Sequence, residues 1–295
     1  MIKDRSASSR GLDIIVHVVM AFVLLITILP VLHVAAISLS SSSAINRGLV
    51  SFYPVEFSTE AYRVVWQAGT VPNGFKNSVI YTVLGTAINM LLTVMMAYPL
   101  SRSKLPLRGF YTLLVTIPMF FSGGMIPNFL LINELGIYNT IFAMIIPGAI
   151  STWNLIIMRT FFQSIPVSLE EAAHLDGAND FQILISIVLP LSLPSIATIG
   201  MFYAVSHWNS WFNALIYLKS EKMYPLQMIL REIVIQGQIA KELAEQGIID
   251  TENPAVTVEG IKYATLFISI IPMMIIYPFI QKYFVKGVMV GSIKG

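Results

Sequence analysis

The sequence contains no cysteine. Neither a disulfide framework nor a thiolate metal site is available to it, and the redox compartment stays open. Charge is scarce too: 12% of its 295 residues are Asp, Glu, Lys or Arg, against roughly 25% in soluble domains. A soluble chain of this length needs a charged surface, whereas a membrane protein is covered by lipid. The net charge of +2, with no basic run, gives no reason to expect a nucleic-acid partner. No Gly-Lys pair occurs, so a phosphate-cradling G-x-x-x-x-G-K-[ST] loop is missing and any ATP must be bound by another subunit. No Asp, Glu, Lys or Arg lies inside the expected spans, which argues against a proton relay. No cluster of His and carboxylates points to a metal.

What is present is apolar: 56% of residues are hydrophobic and the mean hydropathy is +0.74. A charge at the centre of a span costs about 2.5–3.5 kcal/mol on insertion scales, so the gaps between charges outline the spans. No charge separates Asp13 from Arg47, and further uncharged runs cover 77–101, 109–133, 135–158, 181–218 and 263–281. A crossing takes about 20 residues. Six spans are expected, about 14–38, 77–101, 109–131, 139–158, 189–217 and 263–281. The run 181–218 is read as one long helix from Leu189 and Pro190 to Tyr217, since its end, "HWNSWFN", is too polar for lipid. Gly123-Gly124 with Pro127 is expected to break the outer end of the third span. Lys3, Arg5 and Arg10 precede an apolar run longer than the roughly 7–15 residues of a signal-peptide core, so the run is expected to be retained.

With the N-terminus inside, ten basic residues fall on the inner side and eight on the outer. Most of the outer ones lie in two longer segments, 41–72 and 219–262, while three of the seven residues in 102–108 are basic. Short loops carry the orientation signal, and both termini are expected in the cytoplasm. In 41–72, Ser58 and Glu60 are placed to start a short helix; 219–262 reads as helical until Gly247. Both segments suit docking surfaces or lids.

One stretch breaks the apolar pattern on the inner side: "SLEEAAHLDGANDF", Ser168 to Phe181. Pro166 stops the preceding helix. Ser168 with Glu171 three residues on reads as a capping box, and Glu170 and Glu171 suit the positive end of a helix dipole. Gly177 fits the left-handed position that ends a short helix, and Asn179 with Gln182 can cap the next one. Two short helices joined by a tight turn are expected. Capping explains the carboxylates but not the adjacent Ala172 and Ala173, small residues that allow close approach to another surface. A solvated connector remains the plainer alternative.

"EEAAHLDGANDFQILISIVLP" resembles the EAA loop of ABC importer permeases, with Glu171, Ala172, Ala173, Asp176, Gly177, Ala178 and Pro190 on the motif and His174 at a variable place. "NSVIYTVLGTAINMLLTVMMAYPLSR", "GGMIPNFLLINELGIYNT", "WNSWFNALIYL" and the ending "YPFIQKYFVKGVMVGSIKG" resemble the maltose-type carbohydrate permeases, in the branch for complex oligo- and polysaccharides. The resemblance implies an all-α integral membrane protein of the type I importer fold, with 166–189 as the loop that couples it to ATP-binding subunits. It implies a non-catalytic subunit in a bacterial plasma membrane that binds no cofactor itself, with ATP and Mg on the partners. Those partners would be two ATP-binding subunits, a second, non-identical permease and an external solute-binding protein. By the same resemblance, 219–262 reaches the binding protein, and the tail, Gly291, Ser292 and Lys294, touches the ATPases.

Sugar sites combine aromatic faces with amide donors and acceptors. Trp208, Asn209, Trp211 and Asn213 offer that mixture, with Tyr203 five residues earlier pointing partly away. An aromatic belt at the membrane interface is the competing reading. Asn89, polar at membrane depth, suits either a cavity or an interhelical hydrogen bond. A carrier or channel working alone, and a membrane scaffold without transport, are the rival functions.

Overall fold

The computed structural model describes residues 7–245 and 257–292. Among them every regular element is helical, apart from an isolated antiparallel bridge between Ser40 and Phe57. The chain forms two compact units, one within Met1–Val71 and Glu232–Ile271, the other within Pro72–Arg231 and Pro272–Gly295.

In the first unit, α1 (Ala7–Ser38) runs for 32 residues through Pro30. No residue of its apolar window is buried, a condition that lipid satisfies and water does not. Its last turn packs Ala36 and Ile37 against Ala44, Ile45 and Val50. The short α2 (Ser42–Asn46) is capped by Ser41, whose hydroxyl accepts from the Ala44 amide at 3.1 Å and donates to the Glu56 carboxylate. Arg47 pairs with the same carboxylate at 2.8 Å. The Ser41 hydrogen bond, helped by Arg47, holds the Glu56 carboxyl below its usual range. Helix α3 (Glu60–Gln67) follows, with Ser58 accepting from the Glu60 amide at 3.2 Å. The helix starts at Glu60 as expected, but its N-cap is Thr59, without a side-chain cap, and Ser58 lies one residue before that cap.

The second unit holds most of α4 (Thr70–Ser101) and a series of shorter helices. Helix α5 (Arg108–Phe120) turns through 115° into α6 (Met125–Glu134) across the Gly123-Gly124 break. Then come α7 (Ile141–Ile145), α8 (Thr152–Ser164), α9 (Val167–Leu175) and α10 (Asp180–Ile183). A π-helical stretch, Leu184–Val188, leads to α11 (Leu189–Leu191), α12 (Leu193–Trp208) and α13 (Trp211–Tyr217). Helices α14 (Leu226–Glu245) and α15 (Val258–Ser292) each contribute residues to both units.

The stretch expected as one helix over 189–217 is therefore in pieces. The chain bends by 84° at Ser192 and breaks again at Asn209-Ser210. Pro190 and Pro194 flank the first break; each removes an amide donor and crowds the preceding turn. The run 139–158 is likewise divided, α7 from α8, at Pro147-Gly148. Among the described residues three helices are long and apolar enough to cross a membrane, Gly11–Ser38, Thr70–Ser101 and Val258–Phe279, and up to five segments are if each bent pair counts as one.

The largest core of the second unit joins α4, α8, the π stretch and α12. Phe162, Met158 and Leu155 are almost fully buried among Ala97, Tyr98, Leu100, Val188, Ile199 and Tyr203. Ala173 and Ala178 pack on its edge. The polar stretch after Pro166 is thereby tied to the apolar body.

Candidate functional site

Two places in the second unit concentrate polar side chains. The first is the loop built by α9 and α10. Pro166, with φ −59° and ψ 127°, leads into α9 at Val167. Its fixed φ suits a helix entry, so the helix starts before Ser168, and no side-chain cap is made. The expected Ser168–Glu171 box is absent for that reason. The other end matches expectation closely. Gly177 has φ +86°; the Ala178 amide donates to Ala173 O at 2.9 Å and the Gly177 amide to His174 O at 3.0 Å. This is a Schellman closure, which requires a left-handed residue. Asn179 and Gln182 form a reciprocal capping box, both bonds 2.9 Å, and α10 begins there.

Burial on α9 is inverted. Its one buried residue is Glu170, which pairs with Arg102 just beyond α4. Burial raises the Glu170 carboxyl above its usual range, and the Arg102 guanidinium only partly offsets this. Meanwhile Val167, Leu169, Leu175 and Phe181 are exposed, Leu175 by 89%. Glu171, Ala172, Asp176 and Gly177 are exposed, Ala173 and Ala178 half-buried, and Pro190 exposed on α11. A cavity of about 740 Å³ opens beside the loop, lined among others by Arg102, Lys104, Gln163, Glu170, Glu171 and Phe181. Sequence reasoning missed the Arg102–Glu170 pair, because an ion pair across 68 residues of chain leaves no local pattern.

The second place is a cavity of about 410 Å³ among α4, α8 and α12, lined by Asn89, Asn154, Tyr203, Ser206, His207 and Asn213 with several neighbours. The Asn89 amide meets His207 Nε2 at 3.1 Å. Asn89 is 3% exposed and its Oδ1 has no hydrogen-bond partner. The Tyr203 hydroxyl bonds Thr93 Oγ1 at 2.8 Å and accepts from the Ser151 amide at 3.0 Å. Asn89 therefore both crosses between helices and faces a cavity. The room for His207 comes from Gly85, where an added Cβ would stand 2.4 Å from Nε2.

Of the residues expected near a sugar, Asn89, Tyr203 and Asn213 meet here and three do not. Trp208 is buried on another side, edge-on to Phe75 at 5.8 Å and lining a separate apolar cavity of about 350 Å³. The Arg231 guanidinium lies 5.1 Å over the Trp211 ring. Asn209 donates to Val205 O at 3.0 Å on its own helix. His207, missed as a participant, stands in the polar stretch "SHWNS", where nothing local singles it out from Ser206, Asn209 or Ser210. Gly291 and Ser292 end α15, while Lys294 lies outside the described residues. Among the described residues no group of three or more His, Asp or Glu is placed to hold a metal ion.

Broken apolar helices around a polar cavity, with a charged two-helix loop at one end, define a membrane permease. Residues 89–290 match the model of the family described as binding-protein-dependent transport system inner membrane component, and the chain belongs to that family. It is 42% identical over 288 residues to the polygalacturonan/rhamnogalacturonan transport system permease protein YtcP of Bacillus subtilis (strain 168), covering 97% of this chain and 99% of that one. Protein LplC of the same organism is 41% identical over 271 residues, 92% and 90% of the two chains. Among solved structures, a chain of a bacterial ABC transporter that imports the acidic polysaccharide alginate superposes with a TM-score of 0.84 at 34% identity, over 95% of this chain and 98% of that one. The fold is that of an ABC importer permease, in a multi-pass protein of the inner membrane.

Proposed function

We propose that this chain forms half of the translocation pathway of an ATP-driven importer for an oligosaccharide or polysaccharide-derived sugar. The surface of α9 carries the reading: one anchored residue, Glu170, and apolar Val167, Leu169 and Leu175 turned outward beside Ala172. A solvated connector would bury the leucines and expose the glutamate. On this reading 166–189 docks on ATP-binding subunits, which bind ATP and Mg and hydrolyse the nucleotide. Moving a two-state equilibrium from 1:99 to 99:1 takes about 5.5 kcal/mol of differential binding, which favours a packed apolar contact.

A second, homologous permease supplies the other half of the pathway. An external binding protein delivers the sugar, with 219–262 on the outer face, both termini inside and six spans in all, the bent segments included. YtcP is named for polygalacturonan/rhamnogalacturonan transport and the solved transporter imports alginate, which supports a carbohydrate. The polar cavity at Asn89, Tyr203 and Asn213 is this chain's part of the pathway.

The decisive test is Ala172→Asp. Insertion and second-permease binding are expected to be normal and ATPase co-purification lost; unchanged co-purification refutes the docking role.

A further inference from the structure

The Arg102–Glu170 pair joins two parts of the second unit that the proposed function treats separately. Glu170 sits on α9, the helix assigned to docking, and Arg102 stands one residue past the end of α4. Farther up α4 are Thr93 and Asn89, which hold Tyr203 and His207 at the polar cavity. From Arg102 to Asn89 the helix spans about 20 Å at 1.5 Å per residue.

We propose that the Arg102–Glu170 pair is the strut that carries movement of α9 into α4, making both side chains positioning residues for transport. The inference rests on the docking role of α9. Three observations support it. Glu170 is the one buried residue of α9, with Ala173 half-buried against the core beside it, so the pair is the polar attachment through which a pull on that helix reaches the membrane body. Arg102 is held from a second side by the Tyr98 ring, 4.6 Å from its guanidinium carbon, so it moves with α4 and not independently. Finally, the pair is incompletely made. Arg102 Nε and Nη2 are buried with no hydrogen-bond partner while Nη1 meets Glu170. A guanidinium fork favours two parallel bonds to a carboxylate, so a small shift of Glu170 gains bonds that this arrangement lacks. The positions of the two helices are then linked energetically as well as geometrically.

The chain has no cysteine, so a single Ser206→Cys substitution places one reporter thiol at the cavity. The complete complex, with both permeases and the ATPases, is reconstituted in nanodiscs and treated with a small maleimide, with and without ATP and vanadate. Labelling of this chain is read by mass. In the otherwise native background, nucleotide is expected to change the labelling rate at least fivefold. Arg102→Met and Glu170→Gln should each reduce that response below twofold while the ATPases still co-purify, and the exchange Arg102→Glu with Glu170→Arg should restore it. A full response in the single variants overturns the proposal. Loss of the ATPases in them also overturns it, since the pair is then only a support for α9. If nucleotide has no effect in the native background, the strut has nothing to transmit and the proposal falls. Ala172→Asp separates the two levels: ATPases retained in that variant refute docking, whatever the single variants do. Should the exchanged pair fail to insert, Arg102→Lys replaces it, and a response no better than that of Arg102→Met counts against the strut.

Discussion

The imidazole of His207 fills the space that a side chain on Gly85 would enter: a Cβ there would stand 2.4 Å from Nε2 and 2.5 Å from Cε1. Gly85→Ala therefore has to displace the ring and break its contact with Asn89. Overpacking of this kind costs about 1–3 kcal/mol. The expected outcome is a lowered melting temperature in detergent and sugar uptake reduced at least tenfold. Adding His207→Ala should recover most of the melting temperature, because the clash disappears; no recovery would show that the glycine serves another purpose.

Tyr203 is the second prediction. Its hydroxyl joins Thr93 to the Ser151 amide, so Tyr203→Phe leaves a backbone donor unpaired at a cost of about 1–3 kcal/mol. Trp211→Phe, at a ring 38% exposed, should change stability by less. Thermal unfolding of the two purified variants gives the ranking, and the reverse order would contradict the geometry.

At the docking loop the turn is the sensitive point. Gly177 has φ +86° with no heavy atom near a built Cβ, so Gly177→Ala suffers from backbone conformation and not from a clash. The left-handed region costs a non-glycine residue roughly 1–2 kcal/mol, with Asn among the least affected. ATPase affinity, measured by titration, is expected to fall up to about tenfold for Gly177→Ala and less for Gly177→Asn.

Glu56 supplies a pH dependence. Its folded carboxyl titrates below the ordinary value because the Ser41 hydroxyl and Arg47 favour the anion. A depressed carboxyl stabilises the fold above its unfolded value, and that contribution is lost as pH falls through the folded one. Hydrogen exchange at α2 should be slower in the native protein than in Glu56→Gln at neutral pH. The difference should vanish on acidification; a gap that widens in acid would reverse the assignment.

Local chemistry was the legible part of this sequence. The charge gaps delimited the apolar segments, Gly177 marked its turn, and Asn179 with Gln182 announced a helix start. Each of these signals lies within a few residues of its effect. Ser168 misled because Pro166 offers a competing entry, and a proline's fixed φ took precedence over a hydroxyl cap. The long helix over 189–217 failed for a related reason: hydropathy records what lipid accepts, not whether Pro190, Pro194 or Asn209 interrupts the backbone. Pairings between distant helices, Asn89 with His207 and Arg102 with Glu170, left no trace in composition or period. The five helical positions between Tyr203 and Trp208, which already set the two partly apart in the sequence, place them in different cavities.

The outward leucines of α9 have a consequence for the cell. On the docking reading, a copy made without its ATPases displays Val167, Leu175 and Phe181 to the cytoplasm beside an accessible turn. Proteases survey apolar surfaces of that kind. Orphan copies would then be degraded, and subunit ratios would follow from the removal of excess chains rather than from matched synthesis. The same side chains that make the contact would act as a tag for its absence.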